Sequence, residues 1–297
     1  MPEPTLAPAP PSPSPSLSPS RTMSTDAAAW GVAGAGLQVY LLRRHESLNV
    51  LGGAWVFPGG KVDAADADPA LQAHIDLPAD ELQSRLGEAE LDHAVAAALH
   101  VAAAREVFEE CGVLFAHGPA SGLPLQAPRE GDFGALLRTH GLQLNTGTLR
   151  PWSRWITPLQ GLFIKTRRFD TRFFIAALPE GQQAVPDAHE AIDGRWFTPR
   201  EALTQYWAGQ IMLVPPQLMS LVHLAGYNDT ATLLAAAAVR QPHCVRPEVF
   251  DHEGGRAIAY PGDPVHPVPE RVMPGPLRLL QRGERMEPAG GFGDFFG

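Results

Sequence analysis

Cysteine is scarce. Cys111 and Cys244 are the only two in 297 residues. Two thiols cannot make a disulfide framework, and their spacing fits no zinc motif, so a reduced, cytosolic setting is the default expectation. Basic charge is also in short supply. The 23 Lys and Arg face 32 Asp and Glu, for a formal net charge of -9. That argues against a nucleic-acid binder working through a broad basic surface. It leaves an anionic small substrate open, because a local cluster or a bound cation overrides net charge. No apolar run approaches the roughly 18 residues of a membrane span. Residues 1–25 lack the basic start and continuous apolar core of a secretory signal.

Glycine and proline are plentiful, at 29 and 30 residues. With 44% hydrophobic content, the chain suits one large domain with appendages. Residues 1–25 are rich in Pro, Ser and Ala and read as a disordered tail. Met23 opens a more ordinary stretch and is a candidate start. Residues 30–215 carry the alternating strand and helix patterns of the main domain. Residues 216–297 read as helical and then Pro/Gly-rich, with 241–297 expected to be irregular or partly disordered. No internal repeat is visible.

Within the main domain, "GAGLQVYLLRRH", residues 34–45, reads as a strand, and "GGAWVFPGG" follows as a short strand broken by Pro58 and two glycines. A long Ala-rich helical pattern runs from about Glu90 to Cys111, with Gly112 as its stop. "RRFDTRFFIAAL" is a strand, and a helix is expected after Thr198-Pro199. Strands and helices mix without strict βαβ alternation. That favours an α+β fold, a layered sheet with helices on both faces.

The Ala-rich helix ends in "AAAREVFEECGVLF", residues 102–115. On a helix, Glu106 and Glu110 share one face and Glu109 borders it, while Arg105 stands four residues before Glu109. Three carboxylates this close repel unless something compensates. Hard divalent cations such as Mg2+ or Mn2+ take oxygen ligands and supply that compensation. A solvated acidic face is the plain alternative. Far upstream, "PGGKVDAAD", residues 58–66, places two glycines after a strand, where backbone can approach a ligand.

These two stretches together resemble the box of the Nudix hydrolases: Gly, five residues, Glu, seven residues, then Arg-Glu-apolar-any-Glu-Glu-any-Gly-apolar. "REVFEECGV", residues 105–113, matches the second half at every specified position. Counting from Gly60, Asp66 stands where the family has Glu. The gap from Asp66 to Arg105 is 38 residues instead of seven, an insertion of 31. A looped-out segment of that length is tolerable, because closure entropy grows slowly with length. Peroxisomal-type coenzyme A diphosphatases in the family carry such an interrupted box.

The resemblance implies an α/β/α sandwich with a mixed central sheet, a helical insertion across residues 67–104 acting as a lid or flap, and metal-dependent hydrolysis of a nucleoside diphosphate linked to another group. It makes Glu106, Glu109 and Glu110 metal ligands, with the Gly60 carbonyl as a further candidate, and Mg2+ or Mn2+ the cofactor. Arg105 orients the carboxylates and Asp66 supports it. The catalytic base is a box Glu or an acid on a later loop. "DAHEAIDGRWF" supplies Glu190, with Asp187, His189 and Asp193 behind it.

Arg43, Arg44 and Arg172 are candidate substrate contacts, as are Lys165, Arg167 and Arg168. Trp55, Phe57, Trp152 and Trp155 are candidates to stack on adenine or to pack in the core. "LLRRHESLNVLGGAWVFPGGKVDAADAD" is similar to the signature of coenzyme A-hydrolysing members, so coenzyme A or an acyl-coenzyme A is the first substrate expectation. ADP-ribose, NADH or a nucleotide sugar is the second, and a non-catalytic ligand sensor of the same fold the third. A homodimer and a cytoplasmic setting complete the expectations.

Overall fold

The computed structural model describes residues 22–27, 36–48, 51–119, 131–158, 168–189, 191–253 and 255–297. Its largest sheet has five strands in the order His243–Val245, Arg150–Ile156, Phe169–Ile175, Thr22–Ala27, Gly59–Lys61. The sheet is mixed. Thr22–Ala27 runs parallel to Phe169–Ile175 and antiparallel to Gly59–Lys61. Arg154, Arg172, Thr25 and Gly60 stand in one register row across four strands. A three-stranded sheet, Trp55–Val56, Val39–Arg44 and Ala191–Phe197, completes the centre.

Two hydrophobic clusters lie against these sheets. One gathers the helix His93–Cys111 with Leu71, Leu86, Phe133, Leu137 and Phe174. The other gathers the helices Pro199–Trp207, Pro215–Leu224 and Thr230–Val239 with Trp55, Phe57, Trp152 and Trp155. Helices thus cover both faces, the layered α+β arrangement that the patterning implies. The four aromatics are interior residues, each at most 5% exposed. Each buried aromatic or aliphatic side chain contributes about 1.5–3 kcal/mol by leaving water, so these rings are packing and not a platform for adenine.

The helix His93–Cys111 forms for reasons visible in its sequence. Asp92 caps it by accepting from the amides of Ala94 and Val95 at 2.8 and 3.2 Å. Gly112 ends it at a left-handed φ of 68°, a conformation that costs glycine little. Its alanines are buried on nearly every side, which lets the backbone approach the sheet closely.

The insertion, expected as a lid or flap, is packed onto the body of the domain. Residues 69–72 and 79–86 are helices, and residues 93–104 supply the first three turns of the long helix. Asp76 accepts from the Thr146 hydroxyl at 2.5 Å and the Gly147 amide at 3.2 Å. Glu88, just after the second helix, receives Arg172 and Arg154, each at 2.6 Å. Those bonds tie the insertion to the sheet.

Two more expectations need correction. The Pro/Ser-rich tail, expected over 1–25, stops short of Thr22, because Thr22–Ala27 is a strand inside the main sheet. Residues 1–21 lie outside the described residues. The described residues of 241–297 are structured. Beyond the edge strand His243–Val245 they form a four-stranded antiparallel sheet in sequential order, Glu248–His252, Gly255–Ala259, Arg278–Arg282, Arg285–Glu287. Val249, Ile258, Leu279 and Met286 of this sheet, with Tyr260 just after its second strand, join the second core cluster. The Tyr206 hydroxyl donates to the Met286 carbonyl and accepts from its amide, both at 2.9 Å.

Candidate active site

Asp66 and Arg105 are distant in sequence, yet they meet as a two-point fork. Arg105 Nε donates to Asp66 Oδ1 at 2.8 Å and Nη2 to Oδ2 at 2.9 Å. Asp66 is fully buried in a 3-10 turn, Ala64–Ala67, and also accepts from the Asp63 amide at 2.8 Å. The fork closes the 38-residue gap and brings both halves of the motif together. A bidentate Arg–carboxylate pair fixes orientation as well as distance. Asp therefore suffices where the family pattern has Glu: the turn carries the carboxylate directly to the guanidinium.

Arg105 distributes its remaining donors over the acid face. Nη1 reaches Glu109 Oε2 at 2.8 Å and Glu106 Oε1 at 3.0 Å, and Nη2 reaches the Lys61 carbonyl at 2.9 Å. Burial pulls its pKa down, but the Asp66 hydrogen bonds and the charges of Glu106, Asp66 and Glu109 outweigh that and hold it above its ordinary range. Glu110 turns the other way and accepts from the Gly59 amide at 2.7 Å.

A Cβ at Gly60 would land on the Glu106 carboxylate, so any larger residue there would have to push that side chain aside. The Gly-Gly strand therefore lies flush against the acid face.

One guanidinium cannot neutralise Asp66, Glu106, Glu109 and Glu110. Like charges about 4 Å apart repel by about 4 kcal/mol near a protein surface, so the face carries an excess of negative charge. Its donors are hard oxygens, and the backbone of Gly60 lies against one of them. That chemistry fits a hard divalent cation. Among the described residues, no three His, Cys, Asp or Glu side chains form a ready-made metal cluster: Glu106 and Glu109 lean on Arg105, and Glu110 leans on Gly59.

The loop expected to supply a base is tied to the end of the same helix. The Val185 amide donates to the Cys111 carbonyl at 2.9 Å and the Asp187 amide to the Glu110 carbonyl at 2.8 Å. Asp187 Oδ1 accepts from the His189 amide at 2.7 Å, while Asp193 pairs with Arg195 at 2.6 Å. Glu190, Lys165 and Arg167 lie outside the described residues.

The candidate cations part ways. Arg43 pairs with Glu46 at 2.9 Å near the surface. Arg44 is half-buried on the adjacent position of the same strand, and its buried Nε has no hydrogen-bond partner among the described residues. Arg168 donates to the Thr157 carbonyl at 3.4 Å. Arg172 is only 2% exposed and is spent on Glu88 and Asp170. That disposition corrects the expectation of a substrate contact at Arg172: burial and two carboxylates leave it nothing to offer a phosphate. Sequence reading missed Glu88, one of three acids in the loop 87–92, with no local signal to single it out. It also missed the Gly59 amide and the Lys61 carbonyl, since backbone groups carry no residue signature.

An acid face that one arginine cannot balance, folded onto a Gly-Gly strand beneath a two-faced helical layer, defines a Nudix hydrolase, a class whose members generally use divalent metal ions. The comparisons narrow the class. The family described as the NUDT19 Nudix domain matches residues 17–224, and the chain belongs to that family. It is 30% identical to the human protein "Acyl-coenzyme A diphosphatase NUDT19" over 243 residues, 67% of this chain and 63% of that one. It thus spans just under two thirds of the human relative. The Xenopus laevis protein of the same name is 26% identical over 271 residues, 77% of this chain and 71% of that one. Among solved structures, a NUDIX hydrolase from Alicyclobacillus acidocaldarius superimposes with a TM-score of 0.57 at 25% identity, covering 73% of this chain and 96% of that one.

Proposed function

We propose that the protein hydrolyses the diphosphate linkage of coenzyme A or an acyl-coenzyme A, releasing 3′,5′-ADP and phosphopantetheine or its acylated form. The Asp66–Arg105 fork carries the reading, because it rebuilds a complete acid face across the insertion. The names of the human and Xenopus laevis relatives supply the substrate.

In this reading Glu106, Glu109 and Glu110, with the Gly60 carbonyl, hold Mg2+ or Mn2+. When bound, such a cation polarises phosphoryl oxygens and makes a water molecule more acidic. Arg105 stays charged and keeps Glu106 and Glu109 oriented. Glu190 takes the proton of the attacking water, on a loop anchored to the end of the box helix through Val185 and Asp187. Arg44, which has no carboxylate partner among the described residues, meets the substrate phosphates, with Arg43 beside it. A reduced cytoplasmic setting and a homodimer belong to the same proposal, the dimer by family likeness.

The test is a mass-spectrometric product assay on coenzyme A, acetyl-coenzyme A, ADP-ribose, NADH and a nucleotide sugar, with Mg2+, Mn2+ or EDTA. Phosphopantetheine and 3′,5′-ADP, formed only with metal, are expected. AMP from ADP-ribose or NADH alone would keep the hydrolysis and overturn the substrate. No product from any of them would overturn the enzymatic reading.

A further inference from the structure

On the face of the sheet away from the acid site, Arg240 follows the helix Thr230–Val239 into a half-buried recess. Three other segments build it: the strand Arg150–Ile156, the helix Pro215–Leu224 with the turn after it, and the edge strand His243–Val245. The guanidinium carbon lies 3.6 Å over the Trp152 ring. Nη2 donates to the Trp152 carbonyl. Nη1 faces His223 Nε2 and Nη2 faces His243 Nδ1, each at 3.2 Å. The nearby Tyr227 favours the charged form of Arg240. The two imidazoles stack at 5.4 Å and 21°, and His223 lies 4.5 Å from Trp152. Among the described residues no carboxylate shares this recess. Cys244, on the alternate side of the edge strand, is the residue that senses Arg154, Asp170 and Glu88.

Arginine donates and never accepts, and it does not lose its proton in proteins. The imidazole nitrogen that faces it must therefore present a lone pair. This assigns the tautomers: His223 carries its hydrogen on Nδ1 and His243 on Nε2. Both rings are neutral. A proton added to either one turns an acceptor into a donor at 3.2 Å from another donor, and sets a second positive charge beside the first.

We propose that His223, Arg240 and His243 form an acid-released latch that holds the segment 240–245 to the edge of the five-stranded sheet. Arg240 and His243 belong to the moving side, and Trp152, His223 and Tyr227 to the fixed side. The four-stranded C-terminal sheet keeps its own core contacts and the Tyr206–Met286 bonds. What opens is the pairing of His243, Cys244 and Val245 with Ser153, Arg154 and Trp155.

The sign follows from the titration. Burial first, then Arg240, lowers His243 to about 4. Burial, Arg240 and His243 lower His223 to about 3. An ordinary histidine titrates near 6.5. The latch is thus fully closed above about pH 6.5 and weakens as pH falls towards the folded values, by about tenfold per histidine for each pH unit.

The test is amide hydrogen exchange of the full chain at pH 7.5 and 5.0, corrected for intrinsic rates, comparing wild type with the double variant H223Q/H243N. Gln places an amide oxygen where His223 Nε2 sits, and Asn places one where His243 Nδ1 sits, so both still accept from Arg240 and neither titrates. Wild type is expected to lose at least tenfold protection at residues 243–245 on acidification while residues 169–175 hold theirs, and the variant to lose less. Equal loss in both proteins, or no loss in wild type, overturns the latch. Should the variant not fold, NMR titration of the wild-type imidazoles decides. Two rings titrating well below 6.5 support the latch, and ordinary titration near 6.5 overturns it. The readout does not involve turnover, so the latch and the proposed activity stand or fall separately.

Discussion

Around Arg105 one guanidinium meets four carboxylates, Asp66, Glu106, Glu109 and, at 3.9 Å, the exposed Asp63. Around Arg154 and Arg172 two guanidiniums meet two carboxylates, Glu88 and Asp170. Both clusters are largely buried, both join the insertion or the box helix to the main sheet, and both rest on forked Arg–carboxylate geometry. They differ in balance. The second sums to zero and leaves nothing for a ligand. The first is short of positive charge on a face that reaches solvent through Glu109, whose side chain is 28% exposed. A neutral cluster holds structure together, while an unbalanced one asks for a cation from outside.

Substitutions can break that contrast. Glu109→Gln at the unbalanced cluster should lower kcat by roughly a hundredfold or more and leave the fold intact. Steady-state kinetics beside a thermal melt checks it, and wild-type turnover would remove Glu109 from the site. Glu88→Ala at the balanced cluster should do the opposite. It leaves two buried guanidiniums with one carboxylate, a loss of about 3–5 kcal/mol in a urea titration, with kcat per folded molecule unchanged. A change in substrate preference instead would return the insertion to the role of a lid.

Asp66→Asn sits between the two cases. Arg105 keeps a polar neighbour but loses its charged fork, so kcat should fall about ten- to a hundredfold with a smaller change in KM. A purely structural role would instead lower Tm and leave kcat alone. The smallest effect is expected from removing residues 1–21, which leaves the strand Thr22–Ala27 in place. Activity and melting temperature should match wild type, whereas removing residues 1–27 takes out the strand next to Gly60 and should abolish folding.

The acid face was the most legible part of the chain, because Arg105, Glu106, Glu109 and Glu110 lie within six consecutive residues and a helix alone brings them together. The Ala-rich helix and its Gly112 stop were legible for the same local reason. Its partner cluster was not. Arg154, Asp170 and Arg172 come from two strands and Glu88 from the insertion, and only sheet register sets them side by side. The strand "TMSTDA" has no apolar alternation and follows a Pro/Ser-rich run, so composition hid it. The C-terminal sheet was hidden by its own punctuation: strands of three to five residues are too short for a period to emerge between glycines and prolines. The insertion read as a flap because sequence shows its length and helical composition but not the two arginines that pin it.

The strand Arg150–Ile156 has its outer neighbour in His243–Val245, a piece of chain that the ribosome makes much later. Until those residues emerge, the nascent sheet presents an open row of amides and carbonyls. Trp152 and Trp155 sit on that same strand, waiting for partners such as Tyr227 and Tyr260. An exposed edge of this kind invites pairing with other chains. The closing strand therefore acts as a finishing piece for biosynthesis as much as for stability. A chain stalled or clipped before it would be an aggregation hazard with its acid face already complete.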